Sequence, residues 1–185
     1  IEYLATSSDL ADRERYPSLY RLTAPERVGS AVVELLKTFN WSRIGIIQQA
    51  EGNLSMTIND LKKELEVTNV AVIAPISAST DSNLLLENME ALKNLHARII
   101  VVTAFQETTL QIICSAYKLA LYGIQFVWIF TEKYSNEFWR NSGFSCTETE
   151  MQTVVEGAFF CHTVKHNPFE EIGIANITCK DTRLR

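Results

Sequence analysis

Four short stretches of the chain are apolar almost throughout: Ser42–Gln48 (SRIGIIQ), Val70–Ile76 (VAVIAPI), Ala97–Thr103 (ARIIVVT) and Gln125–Phe130 (QFVWIF). A strand with one wet face alternates apolar and polar residues, whereas a parallel strand covered on both faces reads as a continuous apolar run. These stretches therefore predict buried parallel strands. Between them the period changes to that of a helix. Val28, Val32, Leu35 and Phe39 recur at three- and four-residue spacing, as do Leu54, Ile58, Leu61 and Leu65. Leu85, Met89 and Leu92 form a third stripe, and Leu110, Ile113, Tyr117 and Leu121 a fourth.

Boundary residues agree with these periods. Thr23-Ala24-Pro25-Glu26 and Thr147-Glu148-Thr149-Glu150 both have the Thr-x-x-Glu form of a capping box, whose side chains satisfy orphan amides of a first helical turn. Gly123, after Tyr122, is placed to end a helix in a left-handed conformation. A short helical stretch around Met151, Val154 and Val155 precedes a last strand over Gly157–Thr163. This βαβ series predicts an α/β fold, a doubly wound parallel sheet closed by right-handed crossovers.

The first 22 residues fit that unit less well. Tyr3–Ser7 and Ser18–Leu22 read as strands joined by the polar loop Asp9–Arg15, with no helix between them and the Thr23 box. They are expected to belong to a neighbouring lobe. The expected division is residues 1–24 for the end of a first lobe, 25–160 for a second lobe, and 161–185 for a truncated return crossing. Two α/β lobes joined in this way enclose a cleft suited to a small molecule. The start at Ile1 and the lack of a closing element over Asp181–Arg185 predict a piece of a longer protein.

Composition narrows the class. With 46% hydrophobic residues in 185, seven Gly and four Pro, the chain can build a core and is neither disordered nor collagen-like. Seventeen basic and 22 acidic residues give a net charge of −5, which argues against a nucleic-acid-binding face. The longest apolar runs, near Ile99–Val102 and Phe126–Phe130, fall far short of a bilayer span. Cys114, Cys146, Cys161 and Cys179 are an even set without C-x-x-C spacing, which disfavours zinc ribbons and thioredoxin-type sites. Sequons at Asn40, Asn53 and Asn176, together with the even cysteines, tilt the reading toward an oxidising, secretory setting.

The motifs of enzyme chemistry are missing. There is no G-x-G-x-x-G, no G-x-x-x-x-G-K-[ST] and no G-x-S-x-G in the sequence, so nucleotide-dependent and hydrolase mechanisms lose their usual supports. No catalytic residue and no cofactor is expected. His162 and His166 are four apart beside Cys161, but a shared metal would need a helix there, and the segment reads as a strand end before Asn167-Pro168. Exposed imidazoles are expected instead. Glu148 with Glu150, and Glu170-Glu171, read as solvated carboxylates, and Asp12–Arg15 as a mixed-charge surface turn. The loops after the strands are more informative, because ligands of open α/β sheets collect beyond the carboxyl ends of the strands. Those loops hold Gln48–Asn53, Ser77–Thr80, Thr103–Gln106 and Thr131–Tyr134. Two readings stand open for them: a recognition edge, or generic polar loops with Phe105 packed on a neighbour.

A family resemblance then enters. Tyr3–Arg21 (YLATSSDLADRERYPSLYR), Trp41–Gln49, Ala97–Val101, Cys114–Lys118, Tyr122-Gly123, Val127-Trp128, Cys146–Met151 and Val155–Gly157 together resemble the extracellular domain of metabotropic GABA-B receptors. The match runs collinearly over about residues 3–160, and is closer to the type 1, agonist-binding subunit than to type 2. The resemblance implies a periplasmic-binding-protein-like (Venus flytrap) fold in a class C G-protein-coupled receptor, on the extracellular face of the plasma membrane. It implies an amino-acid-type ligand (GABA or a relative) in the interlobe cleft, a second receptor subunit, and a G protein reached through a transmembrane region outside this chain. It also implies a Cys114–Cys146 disulfide, while Cys161 and Cys179 match no family cysteine.

Carried over one at a time, the family's ligand residues are partly altered. The serine that holds the ligand carboxylate corresponds to Thr6, which keeps a hydroxyl. The histidine after the Tyr-Arg strand corresponds to Thr23. The second-lobe tyrosine corresponds to Phe105, which keeps the ring and loses the donor. The tryptophan that packs on the ligand corresponds to Lys133, and the adjacent Tyr134 is retained. The glutamate that receives the ligand's amine falls beyond Arg185. Two functions follow: a sensing domain whose altered pocket takes an amino-acid-type ligand, with Lys133 adding positive charge, or a partner subunit that binds no agonist and works by pairing.

Overall fold

The computed structural model describes residues 10, 12–20, 27–49, 54–78, 82–140 and 143–162. Within them lie helices α1 (Val28–Thr38), α2 (Leu54–Glu66), α3 (Ser82–Asn94), α4 (Gln106–Lys118) and α5 (Glu148–Val155). They alternate with strands β1 (Arg43–Gln48), β2 (Ala71–Ser77), β3 (Ile99–Thr103), β4 (Val127–Phe130) and β5 (Phe159–Phe160). The strands form one sheet in the order β2-β1-β3-β4-β5, and every neighbouring pair is parallel.

In β1, β3 and β4 the apolar runs conceal an alternation that burial on both faces reveals, whereas β2, expected to be buried, is an edge strand with Ala71, Val72, Pro75 and Ser77 exposed. Ile44, Ile46, Ile99, Val101 and Ile129 point to one side, against Val32, Leu36, Ile58 and Leu61 of α1 and α2. Ile47, Ile100, Val102, Trp128 and Phe130 point to the other, against Leu85, Met89, Leu92, Ile113 and Met151 of α3, α4 and α5. The result is a three-layer sandwich, the doubly wound sheet expected from the pattern. Trp128 is enclosed on the second side, and its indole N–H donates to Leu121 O at 2.9 Å, so the buried ring carries no unpaired donor.

Several boundaries differ from the sequence reading. Ser18–Tyr20, the described part of the strand expected over Ser18–Leu22, is turn and coil. Asp12 Oδ1 accepts from the amides of Glu14 and Arg15, and the Arg13 guanidinium donates to Leu19 O, so this segment closes on itself. The strand expected over Tyr3–Ser7 and the Thr23–Glu26 box lie outside the described residues; α1 begins at Val28, after Arg27, which makes no side-chain cap. The Thr147 box is formed: Thr147 Oγ1 accepts from Glu150 N at 3.3 Å and Glu150 Oε2 from Thr147 N at 2.7 Å. Helix α4 ends four residues before Tyr122. Ala120 takes the left-handed position (φ 57°), while Gly123 (φ 88°) turns the loop that follows. The last strand shrinks from Gly157–Thr163 to Phe159–Phe160.

Cys114, on α4, is joined to Cys146, just before α5, with Cα atoms 5.6 Å apart. Cys161 is half-buried and bonded to no cysteine among the described residues, and burial raises its thiol pKa; Cys179 lies outside the described residues. No described helix is long and apolar enough to cross a membrane.

Candidate functional site

Strand order reverses between β1 and β3: the chain leaves β1 toward β2 on one side and β3 toward β4 on the other. Loops diverge at such a switch point, and the crevice beyond the carboxyl ends of the strands is where an open α/β sheet holds its ligand. The polar residues at these strand ends are tied into one platform. Gln49 N donates to Thr103 O at 2.9 Å, and Gln49 Oε1 accepts from Phe105 N at 3.0 Å. Thr131 and Thr103, both buried, share a hydroxyl–hydroxyl bond of 2.9 Å between β4 and β3. Gln106 Oε1 accepts from both the amide and the hydroxyl of Ser135, at 3.0 and 2.9 Å. The ends of β1, β3 and β4 are thereby locked to one another.

On this platform Phe105 stands at the N-cap of α4 in an extended conformation, with 46% of its surface exposed. That degree of exposure disagrees with a ring packed away on a neighbour. Lys133 is exposed. Tyr134 is differently placed: its hydroxyl donates to Ala104 O at 3.0 Å and lies 2.9 Å from Thr109 Oγ1. Its ring packs among Phe130, Phe138 and Phe160. Desolvation raises its phenol pKa well above the ordinary value. Tyr134 therefore shapes the edge from below, its hydroxyl bonded inward. Thr6 and Thr23 lie outside the described residues, as do Asn53, Asn176 and His166. His162 is exposed at the end of β5, and no group of metal-ligating side chains occurs among the described residues.

Residues that the sequence named only as members of these loops, with no individual role, also form this edge. Gln49 and Gln106 carry the links between loops, and Thr103 with Thr131 seals the floor. The Oε1 of Gln48, the last residue of β1, is buried with no hydrogen-bond partner among the described residues. The available signal was a polar residue closing each apolar run, which is too general to separate structural from ligand-facing groups. Glu150 is a helix cap: hydrogen bonds from the Thr147 backbone and side chain hold its carboxyl below the usual range.

Comparison with known proteins places this architecture. Residues 1–173 match the family described as "Receptor family ligand binding region". Gamma-aminobutyric acid type B receptor subunit 2 of Homo sapiens is 26% identical over 163 residues, covering 85% of this chain and 17% of that protein. Subunit 1 of the same receptor type from Caenorhabditis elegans is 25% identical over 173 residues, covering 89% of this chain and 18% of that protein. The Caenorhabditis elegans subunit 2 is 22% identical over 166 residues, or 86% of this chain and 20% of that protein. The chain thus spans a small fraction of these relatives. Both subunit types are represented, and identity does not separate them.

Proposed function

The chain belongs to the receptor ligand-binding-region family, and on that premise we propose that it is part of the extracellular domain of a GABA-B-type class C receptor, binding an amino-acid-type ligand at the carboxyl edge of its sheet. In this reading residues 25–160 are the second lobe of a bilobed domain, with residues 1–24 and 161–185 leading to the first. Signalling follows when a ligand that touches both lobes gains contacts in the closed state. The observation that carries the reading is the rigid platform beneath Phe105 and Lys133: loops held by Gln49, Gln106 and the Thr103–Thr131 bond need little reordering to receive a ligand. Phe105 offers an apolar face and Lys133 a cation for a carboxylate. Thr6 and Thr23 would complete the site from the opposite lobe.

Calorimetric titration of the complete two-lobed domain with GABA and other small amino acids tests this. Saturable binding is expected, weakened about ten- to hundredfold in Lys133→Ala if its ammonium meets the ligand carboxylate. The second reading, a subunit that pairs without binding agonist, is favoured by one observation: Tyr134 has its hydroxyl bonded inward. A folded, disulfide-bonded domain that stays silent toward every amino acid and copurifies with a second receptor subunit would establish that reading instead.

A further inference from the structure

At the opposite end of the sheet, where the strands begin, the chain carries a sequon on an exposed turn. Helix α1 ends in a tight cap: Asn40 N donates to Lys37 O at 3.0 Å and Trp41 N to Leu36 O at 2.8 Å, with Asn40 left-handed at φ 55°. Asn is among the residues that adopt this conformation most readily, and here the turn pushes its side chain outward. Asn40 and Ser42 are both exposed, and neither side chain makes a hydrogen bond among the described residues. Both line a depression of about 340 Å³ whose apolar wall is Leu36, Trp41, Val67 and Val70 and whose polar wall includes Thr68 and Asn69. Val67 on this lining is 83% exposed, and the Trp41 ring is braced from outside the depression by Phe39, stacked with centroids 4.7 Å apart. Sugars present C–H faces that pack on such aromatic and aliphatic surfaces while their hydroxyls stay in water.

We propose that Asn40 carries an N-linked glycan whose innermost sugar rests in this depression against Trp41 and Val67. The inference depends on the extracellular reading above, because the transfer belongs to the secretory pathway. In that reaction the Asn40 amide nitrogen forms a bond to C1 of the sugar of a lipid-linked oligosaccharyl diphosphate. The C1–oxygen bond breaks, the lipid diphosphate leaves with the electron pair, and one proton is lost from the amide. Ser42 supplies the hydroxyl that the sequon requires. A glycan here stands at the far end of the sheet from the ligand edge. It leaves that edge open and bars the α1–β1 turn from contact with a partner subunit.

The test is to pass the full chain through the secretory pathway of mammalian cells and release glycans with peptide N-glycosidase in heavy-oxygen water. Asn40 is expected to appear as heavy-labelled Asp. The label should vanish in Ser42→Ala, a variant that keeps Asn40 and its left-handed turn. Release from the native protein should be several-fold slower than from the denatured protein. An unmodified Asn40 in material whose Cys114–Cys146 bond is oxidised would overturn the proposal and leave the extracellular reading standing. A secreted chain in which Cys114 and Cys146 stay reduced and Asn40 stays unmodified would overturn both. Equal release rates would overturn the resting place of the sugar.

Discussion

The phenol of Tyr134 shows how one buried hydroxyl couples a loop to the sheet. It bonds Ala104 O and Thr109 Oγ1, and desolvation keeps it protonated far above its ordinary pKa of 10.0. Because the folded pKa is the higher one, the stabilisation is complete below the unfolded value and is lost as pH rises from about 10. Urea unfolding should therefore show stability falling above pH 10, and Tyr134→Phe should flatten that fall. At neutral pH the same variant should cost about 1 kcal/mol, since Thr109 still reaches Ala104 O at 3.2 Å and no carbonyl is orphaned. The ends of three helices turn on equally local choices. Asn40, His96 and Ala120 hold positive φ, and in each case the next residue's amide reaches back to the helix, from Trp41 to Leu36, Ala97 to Leu92 and Leu121 to Ala116. With the bonds from Asn40 N to Lys37 O, His96 N to Lys93 O and Ala120 N to Tyr117 O, these make the paired hydrogen bonds of a Schellman ending. Such endings favour Gly, so the sequence marked Gly123 instead. Contacts such as Leu121 beneath Trp128 decided otherwise.

At the scale of elements, helix existence and order were legible, because a 3.6-residue stripe between two apolar runs has few other meanings. Helix spacing was not. Gly29 on α1 lies so close to α2 that an added Cβ would meet Leu61 N at 2.8 Å and Leu61 Cα at 2.9 Å. Backbone cannot swing aside as a side chain can. Gly29→Ala should push α1 from α2 and cost about 1–3 kcal/mol, outweighing the gain in helix propensity. A lowered urea midpoint with an unchanged slope would record it. Nothing in the sequence distinguished this glycine from others that merely sit in turns. The Thr147 box was legible for the opposite reason: its bonds run between residues three apart and need no partner from elsewhere in the fold.

At the scale of the molecule, the Cys114–Cys146 bond clamps α4 to the start of α5 across 32 residues that include β4 and the loop with Lys133 and Tyr134. Closing a loop of that length restricts the unfolded chain by about 3–4 kcal/mol in the chain-entropy account. Removing it with Cys114→Ala/Cys146→Ala should lower the thermal midpoint by several degrees. It should also raise hydrogen exchange in residues 131–145 before the rest of the sheet, because β1 and β3 are held by other bonds.

Sequence by itself determined that this chain makes a doubly wound parallel sheet, because period and run length follow from how many faces of an element meet water. It also named the loops at the carboxyl edge, and its collinear fragments pointed to the receptor family. Tertiary structure decided which side chains those loops present. Phe105 is left half-exposed at a helix start, Tyr134 is drawn inward, and Gln49 joins β1 to β3 across 56 positions of sequence. Such a bond depends on two strands becoming neighbours, and neighbourhood in space is set by the packing of the whole layer rather than by any local run of residues.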